Sequence, residues 1–274
     1  FSRLALYAAD QWTLDSSDKI NFSARYVISK NYQSSTVLSA AYMFKQFQPY
    51  DIRLNYSRGF RTPSVKEMYY NFLGHSPVIV GNPDLVPTFN DYIAISIDKR
   101  VYNNSYSFEL FYNNIRDMIG TQTQGDELRY VNFNSVQIVG ANGHYEKLIN
   151  KNHKIKAVFN FTNPQSASIS ALELMSKYSI RFSYIYNIYR DKVKLSTNVK
   201  FNDKKFILEG GRKVWLDAYT FADLMLIFSG DMLELKLGLK NLFDYKDDRR
   251  FLNTESLSSY DPGRRYIVQF SLKY

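Results

Sequence analysis

Apolar residues fall on every second position through most of this chain, and that period decides what it can fold into. A period of two sends alternate side chains to opposite faces of an extended strand, whereas a helix needs apolar positions three and four apart. Ile20, Phe22, Ala24, Tyr26 and Ile28 form one such file, with Asn21, Ser23 and Arg25 between them. Tyr106, Phe108, Leu110 and Tyr112 form another, and Tyr266, Val268, Phe270, Leu272 and Tyr274 close the chain. Counting by alternation gives roughly thirteen strands.

The connections carry as much information as the strands. Short links at 15–18, 46–49, 101–104, 150–152, 190–192 and 229–231 alternate with longer ones at 30–36, 56–86, 122–127, 163–175, 202–214 and 241–264. The 163–175 segment has room for a helical turn, 202–214 reads as loop, and the strand from Val131 to Tyr145 is expected to bend at Gly140 and Gly143. Short turns at one end and long loops at the other characterise outer-membrane barrels; sandwiches have irregular connections and propellers repeat every four strands. The expected fold is therefore all-β, a transmembrane antiparallel β-barrel, with residues 1–274 forming one partial barrel domain. An odd count cannot close a bacterial single-chain barrel. The chain also starts at Phe1 with no basic or apolar leader. Both points predict a fragment whose first strands lie upstream.

Composition agrees. Aromatic residues make up 16% of the chain, 23 Tyr and 20 Phe against 2 Trp, while mean hydropathy is only −0.35. No run approaches the ~18 apolar residues of a membrane helix, so the aromatics suit the girdles of a barrel wall. With no Cys, disulfides and zinc–thiolate sites are excluded. The net charge of +9 is dispersed, without a basic stripe of interleaved stacking rings, so nucleic acid is not an expected partner. Lys and Arg at barrel rims would instead meet anionic lipid.

The stretch from Tyr56 to Val86 is where alternation stops. Gly59, Pro63, Gly74, Pro77, Gly81 and Pro83 punctuate it, predicting neither regular strand nor helix. Long loops between well-formed strands are more often functional than idle. His75 is a possible iron ligand or a solvated loop residue. Tyr69 and Tyr70 can stack on a planar ligand or pack in a girdle. Arg58 and Arg61 can clamp carboxylates, although Arg61 is better read as pairing with an acid of the barrel wall or of a domain inside it. Asn82-Pro83-Asp84-Leu85 reads as a turn in which the Asp84 side chain caps local amides. His144 and His153 can face each other across a short turn, without an acid at metal spacing, and a solvated rim is the simpler reading. No G-x-S-x-G elbow or phosphate-cradling glycine loop occurs, and Asp247-Asp248 lies in a polar loop, so enzymatic activity is not expected.

Phe60-Arg61-Thr62-Pro63-Ser64 with Lys66-Glu67-Met68-Tyr69, followed by Gly81-Asn82-Pro83-Asp84-Leu85, resembles the paired boxes of TonB-dependent outer-membrane receptors. The run Leu239 to Asp244, then Asp261-Pro262-Gly263-Arg264-Arg265, is similar to that family's last hairpin, and Phe270 and Tyr274 to its assembly signal. The first box departs from the family's FRAP only in reading FRTP.

The resemblance implies a C-terminal part of a 22-strand barrel whose N-terminal plug is absent here, in the bacterial outer membrane. It implies energised uptake of a scarce iron-containing ligand through a TonB-type coupling protein that acts on the plug. In the haem branch a His between the boxes ligates haem iron, which makes His75 the axial-ligand candidate, with the second ligand on the plug. Haem or a haem-carrying protein is then the expected partner, and Phe60, Arg61, Pro63, Asn82, Pro83, Asp84 and Leu85 are mainly scaffold. A ferric-siderophore or cobalamin receptor and a surface barrel that binds without transport are the alternatives.

Overall fold

The computed structural model describes residues 3–14, 18–29, 34–72, 78–125, 127–246 and 263–272. In chain order the strands are β1 Arg3–Thr13, β2 Lys19–Ser29, β3 Ser35–Phe44, β4 Tyr50–Arg61, β5 Val78–Val80, β6 Thr88–Val101, β7 Asn104–Gln124, β8 Glu127–Asn150 and β9 His153–Ser166. They continue with β10 Tyr178–Tyr189, β11 Val193–Asn202, β12 Lys205–Glu209, β13 Arg212–Leu216, β14 Tyr219–Ser229, β15 Leu233–Lys240 and β16 Arg265–Leu272. Fourteen of them form one sheet. β5 lies parallel to the start of β8, and the other thirteen follow each other as antiparallel neighbours from β1 to β16. These are the thirteen strands that alternation predicts. Among the described residues no pairing joins β16 back to β1.

The register lines up whole rows of like chemistry. Leu54, Ile95, Leu110, Ala141, Phe161 and Tyr178 are successive cross-strand partners on one face. One residue along, Arg53, Ser96, Glu109, Asn142, Asn160, Ser179 and Asn202 form a polar row on the other. The apolar face is bare: Ile93, Ile95 and Ile97 are 47%, 44% and 40% exposed. A water-soluble sheet hides this face. Left in water, one of this extent would aggregate, and hydrocarbon is the medium that covers it.

The two edges of the sheet differ as expected. Turns at 45–49, 102–103, 151–152, 190–192 and 230–232 lie at one edge; segments 167–177 and 203–218 and the described residues 62–72, 78–87, 241–246 and 263–264 lie at the other. Four local expectations change. Strand pairing between β7 and β8 runs to Gln124 and Glu127, so the expected 122–127 loop is a ladder projecting well past the ~10 residues that span a membrane. Backbone bonds carry this ladder where apolar alternation fades. The β7–β8 register also passes Gly140 and Gly143 without a shift; a bulge lies instead at Leu148/Asn150 against β9. The 202–214 loop contains the β12–β13 hairpin. Within 56–86, β4 continues to Arg61 and a short helix α1, Val65–Tyr69, follows. The expected helical turn in the next long loop is present as a 3-10 turn at Ile169–Leu172.

Candidate functional site

Both well-packed apolar clusters lie at the long-loop edge. Met68, Leu85 and Ile119 are buried together against Tyr130. Phe133, Val136 and Ala171 form the second, with Leu172 and Met175 packed on it. Burying each such side chain contributes about 1.5–3 kcal/mol, so this rim is built as structure rather than left as slack connection.

The first cluster is where the two boxes meet. Ser64 Oγ accepts from the Glu67 amide at 3.2 Å and Glu67 Oε2 accepts from the Ser64 amide at 2.7 Å, a reciprocal cap that starts α1 despite its brevity. Arg61 forks onto both Glu67 oxygens at 3.0 Å. Its acid in this structure is thus Glu67, inside its own box, rather than an acid of the barrel wall. Burial pushes the Glu67 carboxyl up, but the Ser64 amide and hydroxyl and the Arg61 guanidinium outweigh it and hold it below the ordinary range. The second box then closes on the first. The Asn82 amide donates to the Glu67 carbonyl at 2.9 Å, and Asn82 Nδ2 donates to the Tyr130 carbonyl at 3.0 Å. Asn82 Oδ1, rather than the Asp84 carboxylate, caps the turn, accepting from the Asp84 amide at 3.0 Å. Gly81 is required by proximity, since a Cβ there would lie 2.8 Å from the Met68 carbonyl oxygen. Asn132 brackets Val86 from β8, donating to its carbonyl and accepting from its amide.

What this scaffold offers outward is aromatic. Tyr69 is 57% exposed and Tyr70 49%, with Tyr70 edge-on to Phe72 at 4.1 Å. The Phe72 amide donates to the Ile79 carbonyl, pinning the chain just before Leu73. His75 lies outside the described residues. Arg58 belongs to β4, not to a loop, and is occupied. It donates to Asp91 through Nε at 2.8 Å and Nη2 at 3.1 Å, while Tyr56 and Arg116 donate to the same carboxylate. By register this cluster stands on the apolar face, one row beyond the Tyr56–Ile93–Tyr112 row. Phe60 packs on Phe89 at the next row.

The second half of the rim is built by two loops on each other. The Leu174 amide donates to the Phe206 carbonyl and the Leu208 amide to Glu173 Oε2, both at 2.9 Å. Phe206, Ile207 and Leu216 of the hairpin are buried. Burial raises the Glu173 carboxyl above its ordinary value, and the Leu208 amide only partly offsets this.

The C-terminal motif is scaffold. Asn241 is buried, takes Asp223 through its amide and both donates to and accepts from the Tyr245 backbone. The Arg264 amide donates to Asp244 Oδ1 at 2.7 Å and its guanidinium to the Leu242 carbonyl. The two remaining histidines do not meet: His144 pairs with Val158, whereas His153 accepts or donates at Tyr184 Oη, 2.7 Å away, and stacks on Tyr186. Among the described residues no cluster of His, Asp and Glu could hold a metal ion.

Residues that sequence reading passed over include Asn132, Tyr130 and Glu173. Ser64 and Glu67 were detectable, because S-x-x-E is the capping-box signature.

Residues 1–242 match the family of TonB dependent receptor-like β-barrels. No curated protein sequence matches the chain. Among solved structures it is similar to the siderophore receptor PirA from Acinetobacter baumannii, with 17% identity and a TM-score of 0.78 over 98% of this chain and 45% of that one. A variant of the ferric enterobactin receptor from Pseudomonas aeruginosa, bound to enterobactin, gives 15% and 0.79 over 98% and 45%. The FrpB iron transporter from Neisseria meningitidis gives 11% and 0.68 over 98% and 44%. At these identities the structures testify to the fold. The chain spans less than half the length of each.

Proposed function

The chain belongs to the TonB-dependent receptor family, proteins of the bacterial outer membrane, and we propose that it forms part of a receptor for energised uptake of an iron-containing ligand. The observation that carries this reading is the rim: two boxes locked into one scaffold at the long-loop edge, which the membrane places outside the cell. Such a scaffold holds loops in position to capture a scarce solute, and a TonB-type protein would supply the energy. The role is transport, not catalysis.

Two ligands compete. Haem rests on His75, which stands between the two boxes in the sequence, and on the exposed faces of Tyr69 and Tyr70. A ferric siderophore rests on the similar structures that bind or are named for such chelates. Cobalamin uptake and passive surface binding have no specific observation behind them. Haem titration of the complete receptor separates the two leading readings. A Soret shift that His75→Ala abolishes, with His144→Ala unaffected, supports haem. An unchanged shift in His75→Ala, or no shift at all alongside saturable binding of a ferric siderophore, overturns it. Failure of both ligands to be taken up by cells would remove the uptake reading itself.

A further inference from the structure

We propose that the outer wall carries a binding site for one glycerophospholipid of the periplasmic leaflet, formed around Gly143 with Lys99 as its phosphate contact. The site rests on the membrane placement of the barrel and not on the identity of the transported ligand.

The argument starts from two glycines on β8. Gly140 points to the polar face, where the Phe111 ring and the Phe161 carbonyl fill the space, leaving a Cβ no room. Gly143 points the other way, and a Cβ there would meet only the Phe159 Cβ at 3.8 Å. Its row on the apolar face reads Ile97, Phe108, Gly143, Phe159, Ile180, so one position of an otherwise bulky apolar row carries no side chain. The result is an open groove of about 800 Å³, with Phe108 and Phe159 on its flanks. In hydrocarbon such a groove does not stay empty, and an acyl chain is the shape that fits it.

The polar end fixes which part of a lipid enters. Two residues towards the short-turn edge, ~7 Å at strand rise, the next row reads Tyr50, Lys99, Tyr106, Tyr145. Lys99 lines the same groove. Its ammonium sits 4.5 Å over the Tyr50 ring and donates to Tyr50 Oη at 3.2 Å, and among the described residues it makes no ion pair. Tyr106 and Tyr145 pack at 5.1 Å beside it, marking the interfacial aromatic belt. A fixed cation at that depth, above an apolar groove, matches a lipid phosphodiester whose chain runs into the wall. The short-turn edge is the periplasmic one, so the lipid is a phospholipid of the inner leaflet.

Native mass spectrometry of the complete receptor in detergent, with phosphatidylglycerol added, tests this. Wild type should retain one more phospholipid than Gly143→Leu, whose side chain fills the groove. Lys99→Glu should weaken that lipid about fivefold or more, the scale of one interfacial basic residue. Heat-modifiable gel mobility verifies that both variants fold, and Lys99→Glu decides the matter if Gly143→Leu does not. Equal retention by wild type and Lys99→Glu would overturn the site. So would displacement of the retained lipid by lipopolysaccharide, which belongs to the opposite leaflet.

Discussion

The two halves of the long-loop rim both pack on the β7–β8 ladder but differ in what else holds them. The 62–87 segment folds mainly on itself and on the adjoining β7–β8 ladder, through a capping box, the Arg61–Glu67 pair and the Asn82 hub. The 167–177 segment is bonded within itself only by short backbone turns (Ala171 to Ser168, Glu173 to Ser170, Met175 to Leu172). It packs Ala171, Leu172 and Met175 against Phe133 and Val136, and is tied to a second loop, the β12–β13 hairpin, through Glu173, Leu174, Phe206 and Leu208. A self-contained unit can be written as a contiguous motif. A unit shared by two distant segments leaves no short signature, because each half looks like ordinary polar loop by itself.

Removing a buried anchor from the shared unit should give the largest effect. Leu216 is 2% exposed at the end of β13. Leu216→Ala should cost about 2–5 kcal/mol of local stability. Hydrogen exchange in the complete receptor should show loss of protection at Ile207 and Leu208 and spread to Leu174, while Asn82 keeps its protection. If the Asn82 amide also exchanges faster, the two halves are one unit and the contrast fails.

The converse substitution is Gly81→Ala. Its Cβ would face main-chain atoms of Met68 and Tyr69 at 2.8–2.9 Å, and main chain cannot rotate away. A cost of about 1–3 kcal/mol, the usual scale of overpacking, should release the Asn82–Glu67 bond without disturbing Leu208. Faster proteolytic nicking near α1, with the hairpin intact, is the expected readout. Unchanged nicking would mean that the boxes touch more loosely than the geometry shows.

The same contrast explains what could be read from the residues alone. The strand path was legible because alternation in Ile93, Ile95 and Ile97 or Tyr106, Phe108 and Leu110 is a property of each strand by itself. The paired boxes were legible as motifs, and the cap within them had its own spacing. Nothing local marks Glu173 as the acceptor for Leu208, thirty-five residues away. Nor does the sequence distinguish Gly140, filled by a ring from β7, from Gly143, which is open. The structural role of Arg61 is legible but its partner is not, for a related reason: Glu67 lies six residues on, and only the turn at Pro63 and Ser64 brings it back.

The smallest expected effect is also the most discriminating, because the two halves should answer pH with opposite sign. Glu67 is held below the ordinary glutamate range, about 4.3, by the Ser64 cap and Arg61 against the cost of burial. Its contribution is present above that range and is lost as pH falls through the lowered value. Glu173 is raised by burial. Its contribution is complete below the ordinary range and is lost as pH rises through the raised value. Acidification should therefore loosen the 62–87 unit and tighten the 167–177 unit. Amide exchange at Asn82 and Leu208, corrected for intrinsic rates, should show slopes of opposite sign on passing through the acid range, with the Glu67 step below and the Glu173 step above the ordinary glutamate value. Glu67→Gln keeps the acceptor that caps Ser64 but loses the pairing with half-exposed Arg61, worth up to about 1 kcal/mol, and should flatten only the first slope. Glu173→Gln should flatten only the second. Slopes of the same sign, or one substitution flattening both, would show that the rim titrates as a single body and that the division drawn between its halves is false.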